Sequence, residues 1–106
     1  QRVWCRIYDG DLVMETSWRS RDAYKAAFWN MYALTELQRR IAAGLSTKTG
    51  KEIGVGAYID FTNSFHIYEQ DFQDVERRLL KAIEGRTFKD RTMTSKEFDK
   101  FAKLRQ

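Results

Sequence analysis

Val3-Trp4-Cys5-Arg6-Ile7-Tyr8-Asp9-Gly10, continued by Leu12 to Trp18, is the stretch that decides how this chain folds. Val3, Cys5 and Ile7 alternate with larger or charged residues and share one strand face. Asp9-Gly10 is a strong short-range signal for a tight hairpin turn, because both residues tolerate positive φ. Leu12 to Trp18, rich in β-branched and large side chains, reads as the returning strand. The chain therefore opens as a β-hairpin.

After Trp18 the period lengthens. Ala27, Met31, Leu34, Gln38 and Ile41 step by three or four, and Leu37 joins the stripe. This predicts a helix from about Asp22 to Ala43, with Asp22 near its N-cap and Gly44 as its stop. Tyr24, Phe28, Trp29 and Tyr32 make it greasy on more than one side, which predicts burial on more than one side. Leu45 to Glu52 reads as a polar connection. Ile53 to Tyr68 reads as extended, with Val55, Ala57, Ile59 and Phe61 on one face and a polar break at Thr62-Asn63-Ser64. A second helix is predicted from Asp71 to Glu84 on the stripe Phe72, Val75, Leu79 and Ile83, ended by Gly85. A basic loop follows. Thr94 and Glu97 form a capping box opening a terminal helix, with Phe98, Phe101 and Leu104 inward. The order β-β-α-β-α-α predicts an α+β domain of two layers, a mixed or antiparallel sheet packed by helices.

At 106 residues the chain has the size of one domain, 1–106. With 42% hydrophobic residues and no proline, it is neither disordered nor collagen-like. No apolar run approaches the ~20 residues of a membrane span and no signal peptide is evident, so a cytoplasmic setting without membrane contact is expected. One cysteine and one histidine exclude an internal disulfide and a cysteine-rich metal site. Cys5, mid-strand among apolar neighbours, reads as buried and inert. The net charge of +4 permits a phosphate ligand. The basic residues are interleaved with acids, and no nucleic-acid-binding pattern accompanies them, so DNA is not an expected partner.

Three constellations have the residue types that chemistry needs. Arg19-Ser20-Arg21-Asp22 stands between a strand and a helix, where guanidinium, hydroxyl and free helix N–H groups make a phosphate site; the alternative is that Asp22 simply caps the helix. Asn30 carries an acceptor and a donor side by side within an apolar run, complementary to the O4/N3–H edge of uracil; the alternative is an amide satisfied by neighbouring protein groups. His66 and Tyr68 are two apart on a strand end and share a face, so imidazole and phenol can grip one hydroxyl; the alternative is a structural histidine.

Taken in order, these pieces resemble the C-terminal part of the thymidylate synthase family, which includes pyrimidine-nucleotide hydroxymethylases. The resemblance covers roughly residues 1–80. It rests on the Asp9-Gly10 turn, Arg19-Ser20-Arg21-Asp22, an asparagine eight residues after that aspartate (Asp22 to Asn30), and His66-Ile67-Tyr68. It implies that Arg19 and Ser20 hold the nucleotide phosphate and that Asp22 supports the pyrimidine through backbone and water. It also implies that Asn30 reads the base edge, uracil rather than cytosine, and that His66 and Tyr68 bind the deoxyribose 3′-hydroxyl. The implied reaction moves a one-carbon unit from methylenetetrahydrofolate to C5 of a deoxyuridylate-type nucleotide. Ala26 and Phe28 replace a glycine and a proline of the family pattern. The family's nucleophilic cysteine falls upstream of Gln1. Cys5 is displaced from that position by about six residues, roughly 20 Å of strand, and cannot stand in for it. The expectation is thus a fragment of a larger enzyme, inactive alone. The alternatives are a stand-alone nucleotide-binding module or pseudoenzyme, or a basic α+β interaction domain. The family pairs through packed sheets, and Trp4, Tyr8 and Trp18 offer large surfaces on the hairpin, so a homodimer is expected.

Overall fold

The computed structural model describes the backbone of residues 1–104 and the side chains of residues 1–103. The inward side chain expected of Leu104 lies outside the described residues. The chain divides into two compact units, Gln1–Glu69 and a helical unit from Gln70 onward. The class is α+β with a mixed three-stranded sheet.

In the first unit, β1 (Arg2–Tyr8) and β2 (Asp11–Asp22) form the expected hairpin, paired antiparallel from Arg2↔Ser17 to Tyr8↔Asp11. Asp9 (φ 51°) and Gly10 (φ 83°) supply the two left-handed residues that such a loop needs. Strand β2 continues past Trp18 to Asp22, because β3 (Gly54–His66) pairs with it in parallel as far as Asp22↔His66. The polar triplet Thr62-Asn63-Ser64 does not break β3; Thr62 and Ser64 pair with Trp18 and Ser20.

Helix α1 (Ala27–Thr49) joins the two parallel strands and lies five residues further along the chain than its predicted start. Asp22 does not cap the helix. Its Oδ1 accepts the N–H groups of Tyr24 (2.9 Å) and Lys25 (3.1 Å) and closes a turn between β2 and α1. Gly44 is interior to the helix, and the stop is Gly50 (φ 69°), whose N–H donates to the Ser46 carbonyl. Of the stretch Leu45–Glu52 read as a polar connection, Leu45–Thr49 belongs to the helix, and its hydroxyls are satisfied by bonding back along it. Thr47 donates to the Ala43 carbonyl (3.2 Å) and Thr49 to that of Leu45 (2.7 Å). Ser46 donates to the Ala42 carbonyl (2.9 Å) and accepts the Ile53 N–H (2.9 Å), fixing the exit toward β3.

Of the predicted stripe, Ala27 and Gln38 are buried and Met31, Leu34 and Ile41 half-buried; Ala42, outside it, is buried too, whereas Leu37, Phe28 and Trp29 are exposed. Gln38 is 1% exposed. Its Nε2 donates among the carbonyls of Leu12 (2.9 Å), Gly56 (3.1 Å) and Ala57 (3.0 Å). These belong to a bulge at which Leu12↔Val55 gives way to Met14↔Tyr58, so β3 spends one extra residue. A Cβ at Gly56 would meet the Leu12 carbonyl oxygen at 3.1 Å, which is why a glycine sits there. Cys5 is half-buried opposite Met14, with no disulfide.

The predicted helix is a mixed run: a 3-10 turn Glu69–Asp71 at the boundary between the units, then, in the second, an α turn Phe72–Asp74, a π turn Val75–Leu80 and an α turn Lys81–Glu84. Of its stripe, Val75 is buried and Phe72, Leu79 and Ile83 are exposed. The basic loop contains a short helix, Phe88–Arg91, opened by a capping box between Thr87 and Asp90. The predicted box at Thr94 and Glu97 forms and opens the helix Ser95–Leu104.

Candidate functional site

Parallel pairing puts the C-terminal ends of β2 and β3 side by side, and the turn after β2 delivers the N-terminus of α1 beside them. Ligands in sheets of parallel strands collect at such ends. Five of the six residues singled out in the sequence lie here. Ser20 Oγ is 3.5 Å from His66 Nδ1. Asp22 pairs with His66 in the strand register, and the Ala23 N–H donates to the His66 carbonyl at 2.7 Å. The His66 and Tyr68 rings meet edge to face with centroids 4.9 Å apart, so imidazole and phenol do form one surface. Arg19 is exposed next to Ser20 and makes no ion pair among the described residues.

The sixth residue, Asn30, lies one turn into α1, where its backbone N–H donates to the Ala26 carbonyl. Its half-buried side-chain amide makes no hydrogen bond among the described residues, neither to the protein groups of one reading nor to Ser20, Asp22, His66 or Tyr68. The amide is thus left with both donor and acceptor capacity.

A polar cluster that the sequence reading missed adjoins this end on the side of the sheet that α1 covers. The Arg21 side chain is 2% exposed and Asp60 17%. Arg21 Nη1 donates to both Asp60 oxygens (2.6 Å to Oδ2), and Nη2 donates to the Ala27 carbonyl (3.3 Å). The guanidinium also lies 4.5 Å above the Trp18 ring. Asp60 further accepts from Tyr58 (2.8 Å), Thr16 (3.1 Å) and Thr62 (3.3 Å). Burial alone would raise the Asp60 carboxyl pKa; hydrogen bonds from Tyr58 and Thr16 and the Arg21 guanidinium outweigh it and hold the group below the ordinary carboxylate value. Burial pushes the Tyr58 phenol up, with the Asp60 hydrogen bond and charge adding to it and Thr16 opposing. Arg21 Nε and Trp18 Nε1 are buried without a partner among the described residues. The signal for this cluster was Asp60 itself: a carboxylate between Ile59 and Phe61 requires a charged or hydrogen-bonding partner. A cavity of about 300 Å³ lined by Arg21, Met31, Asp60, Thr62 and Phe65 opens against it.

Among the described residues no cluster of three His, Cys, Asp or Glu could hold a metal, and no helix is long and apolar enough to cross a membrane. No protein-family profile, curated protein or solved structure matches the chain.

Proposed function

We propose that this chain is the nucleotide-binding part of a thymidylate synthase-like enzyme, and that the Ser20–His66 end of the sheet binds a pyrimidine deoxynucleotide monophosphate. The observation that carries the reading is the 3.5 Å approach of Ser20 to His66, residues 46 apart in sequence, with Tyr68 against the imidazole and Asp22 beside it. Arg19 and Ser20 donate to the phosphate, and charge-assisted bonds of that kind are the strong ones. His66 and Tyr68 hold the sugar hydroxyl. The unpaired amide of Asn30 matches the uracil edge, which offers one acceptor and one donor.

In the parent reaction, methylenetetrahydrofolate supplies the carbon delivered to C5. The cavity next to the site does not fit that cofactor, since Arg21 and Asp60, its charged groups, are spent on each other. No step through the cofactor is assigned to this chain. Nor does Cys5 reach the site: it pairs with Met14, six residues and about 20 Å along β2 from Ser20. The chain alone therefore binds without turnover, in a cytoplasmic setting. The same observations suit a stand-alone binding module, and the coding sequence upstream of Gln1 separates the two.

The homodimer belongs to this reading as well. Trp4, Ile59 and Phe61, on the sheet face away from α1, are 44%, 47% and 59% exposed and together form an apolar surface fit for a second copy.

Equilibrium titration with deoxyuridine monophosphate tests the site. Saturable binding on the order of micromolar is expected, and Arg19→Ala should weaken it at least about tenfold by removing one charge-assisted donor. No binding at millimolar nucleotide overturns the reading.

A further inference from the structure

We infer that the Arg21–Asp60 pair, buried on its Arg21 side, positions the nucleotide-facing residues on either side of it, an inference that rests on the nucleotide reading for the ligand but not for the mechanical link. Arg21 lies between Ser20 and Asp22 in the chain, yet its side chain turns inward and touches neither ligand-facing group. It ties three elements together instead. It bonds Asp60 on β3, the carbonyl of Ala27, the first residue of α1, and it stacks on Trp18 of β2. Asp60 is held in turn by Tyr58, Thr16 and Thr62. One planar group therefore sets the end of β2, the start of α1 and the middle of β3 relative to one another. Asn30 follows Ala27 by three residues, about one helical turn. His66 follows Asp60 along the same strand.

Stability does not explain the pair. Desolvation offsets most of the attraction in a buried ion pair, and apolar residues of similar volume often hold a fold as well or better. This pair also leaves Arg21 Nε and Trp18 Nε1 without partners. Apolar contacts cannot replace its directional bonds: one guanidinium nitrogen bridges both carboxylate oxygens while the next points at a backbone carbonyl. A phosphate and a base edge are held only where their donors stand at fixed separations, and direction is what that demands. Arg21 and Asp60 are accordingly positioning residues; neither contacts the ligand.

The double variant Arg21→Met/Asp60→Leu tests this in the whole chain. Its melting temperature should equal or exceed that of the parent. Its affinity for deoxyuridine monophosphate should fall by roughly tenfold to a hundredfold, the cost of a displacement of about 1 Å. Its affinity for inorganic phosphate should change far less, since one anion needs no spacing between subsites. His66, the only histidine, gives a second readout that needs no ligand. Its imidazole ¹⁵N signals should shift in the ligand-free double variant as the Ser20 contact loosens. Unchanged imidazole signals overturn the inference whether or not nucleotide binds. Unchanged nucleotide affinity in a parent that does bind overturns it too. Shifted imidazole signals in a protein that binds no nucleotide support the mechanical link and sink the nucleotide reading alone. Where the double variant does not fold, Asp60→Asn, nearly isosteric, is read in the same two ways.

Discussion

The two faces of the sheet are built in opposite ways. The face under α1 sets a polar network into an apolar layer: beside Leu12 and Met14 it buries Thr16 and the guanidinium of Arg21 and half-buries Tyr58 and Asp60. The face away from α1 carries Trp4, Ile59 and Phe61, uncovered, with Arg2, Glu15 and Ser17 around a shallow groove of about 440 Å³. An ordinary two-layer domain keeps such charged groups in water and its large apolar side chains under the helix. The difference teaches that the helix-covered side is organised for direction and the bare side for cover. A polar network fixes angles at the end of the strands; an apolar face gains by leaving water, which is the cover that the proposed second copy would supply.

The largest effect expected is on the polar face. Asp60→Ala strands a buried guanidinium and should cost about 3–5 kcal/mol in urea denaturation; a loss under about 1 kcal/mol would show that the pair is not buried in solution. Next comes the apolar face. Phe61→Glu places a charge at the centre of the proposed contact and should weaken self-association by about 2 kcal/mol, roughly thirtyfold. Sedimentation at tens of micromolar reads it, with the parent expected as a dimer. A parent that sediments as a monomer removes the proposed cover from this face. The smallest effect is a slope. The Asp60 carboxyl has a folded value below its unfolded one, so the stability it contributes is present above the ordinary carboxylate value and is lost as pH falls through the depressed folded value. Acid titration of stability should flatten in Asp60→Asn; an identical slope would assign acid sensitivity to other carboxylates.

The hairpin and the order of elements were legible because their causes are local. Asp9-Gly10 needs only its own backbone preferences to make the turn. The bounds of α1 were not legible. Gly44 and Gly50 look alike in sequence, and what separates them is Ser46, whose hydroxyl reaches forward to Ile53. Asp22 resembles a helix cap, yet parallel pairing with His66 holds it in the strand. The alternation of Ile59 and Phe61 was visible, but not which side the helix would take. That choice follows from Gln38 and Arg21, whose partners lie across the sheet. The candidate site divides the same way. His66 ends β3 and Tyr68 follows two residues later, close enough in sequence to be read as a pair. Asp60 between Ile59 and Phe61 asks for a partner, but nothing local says that the partner is Arg21, 39 residues away.

The central claim, that the joined ends of β2 and β3 hold a nucleotide monophosphate, has its most direct test in the imidazole signals of His66 as deoxyuridine monophosphate is added. With Ser20 and Tyr68 on either side of the ring, these signals should move saturably with nucleotide and much less with deoxyuridine, which lacks the phosphate. Signals that stay fixed at millimolar nucleotide would contradict the account.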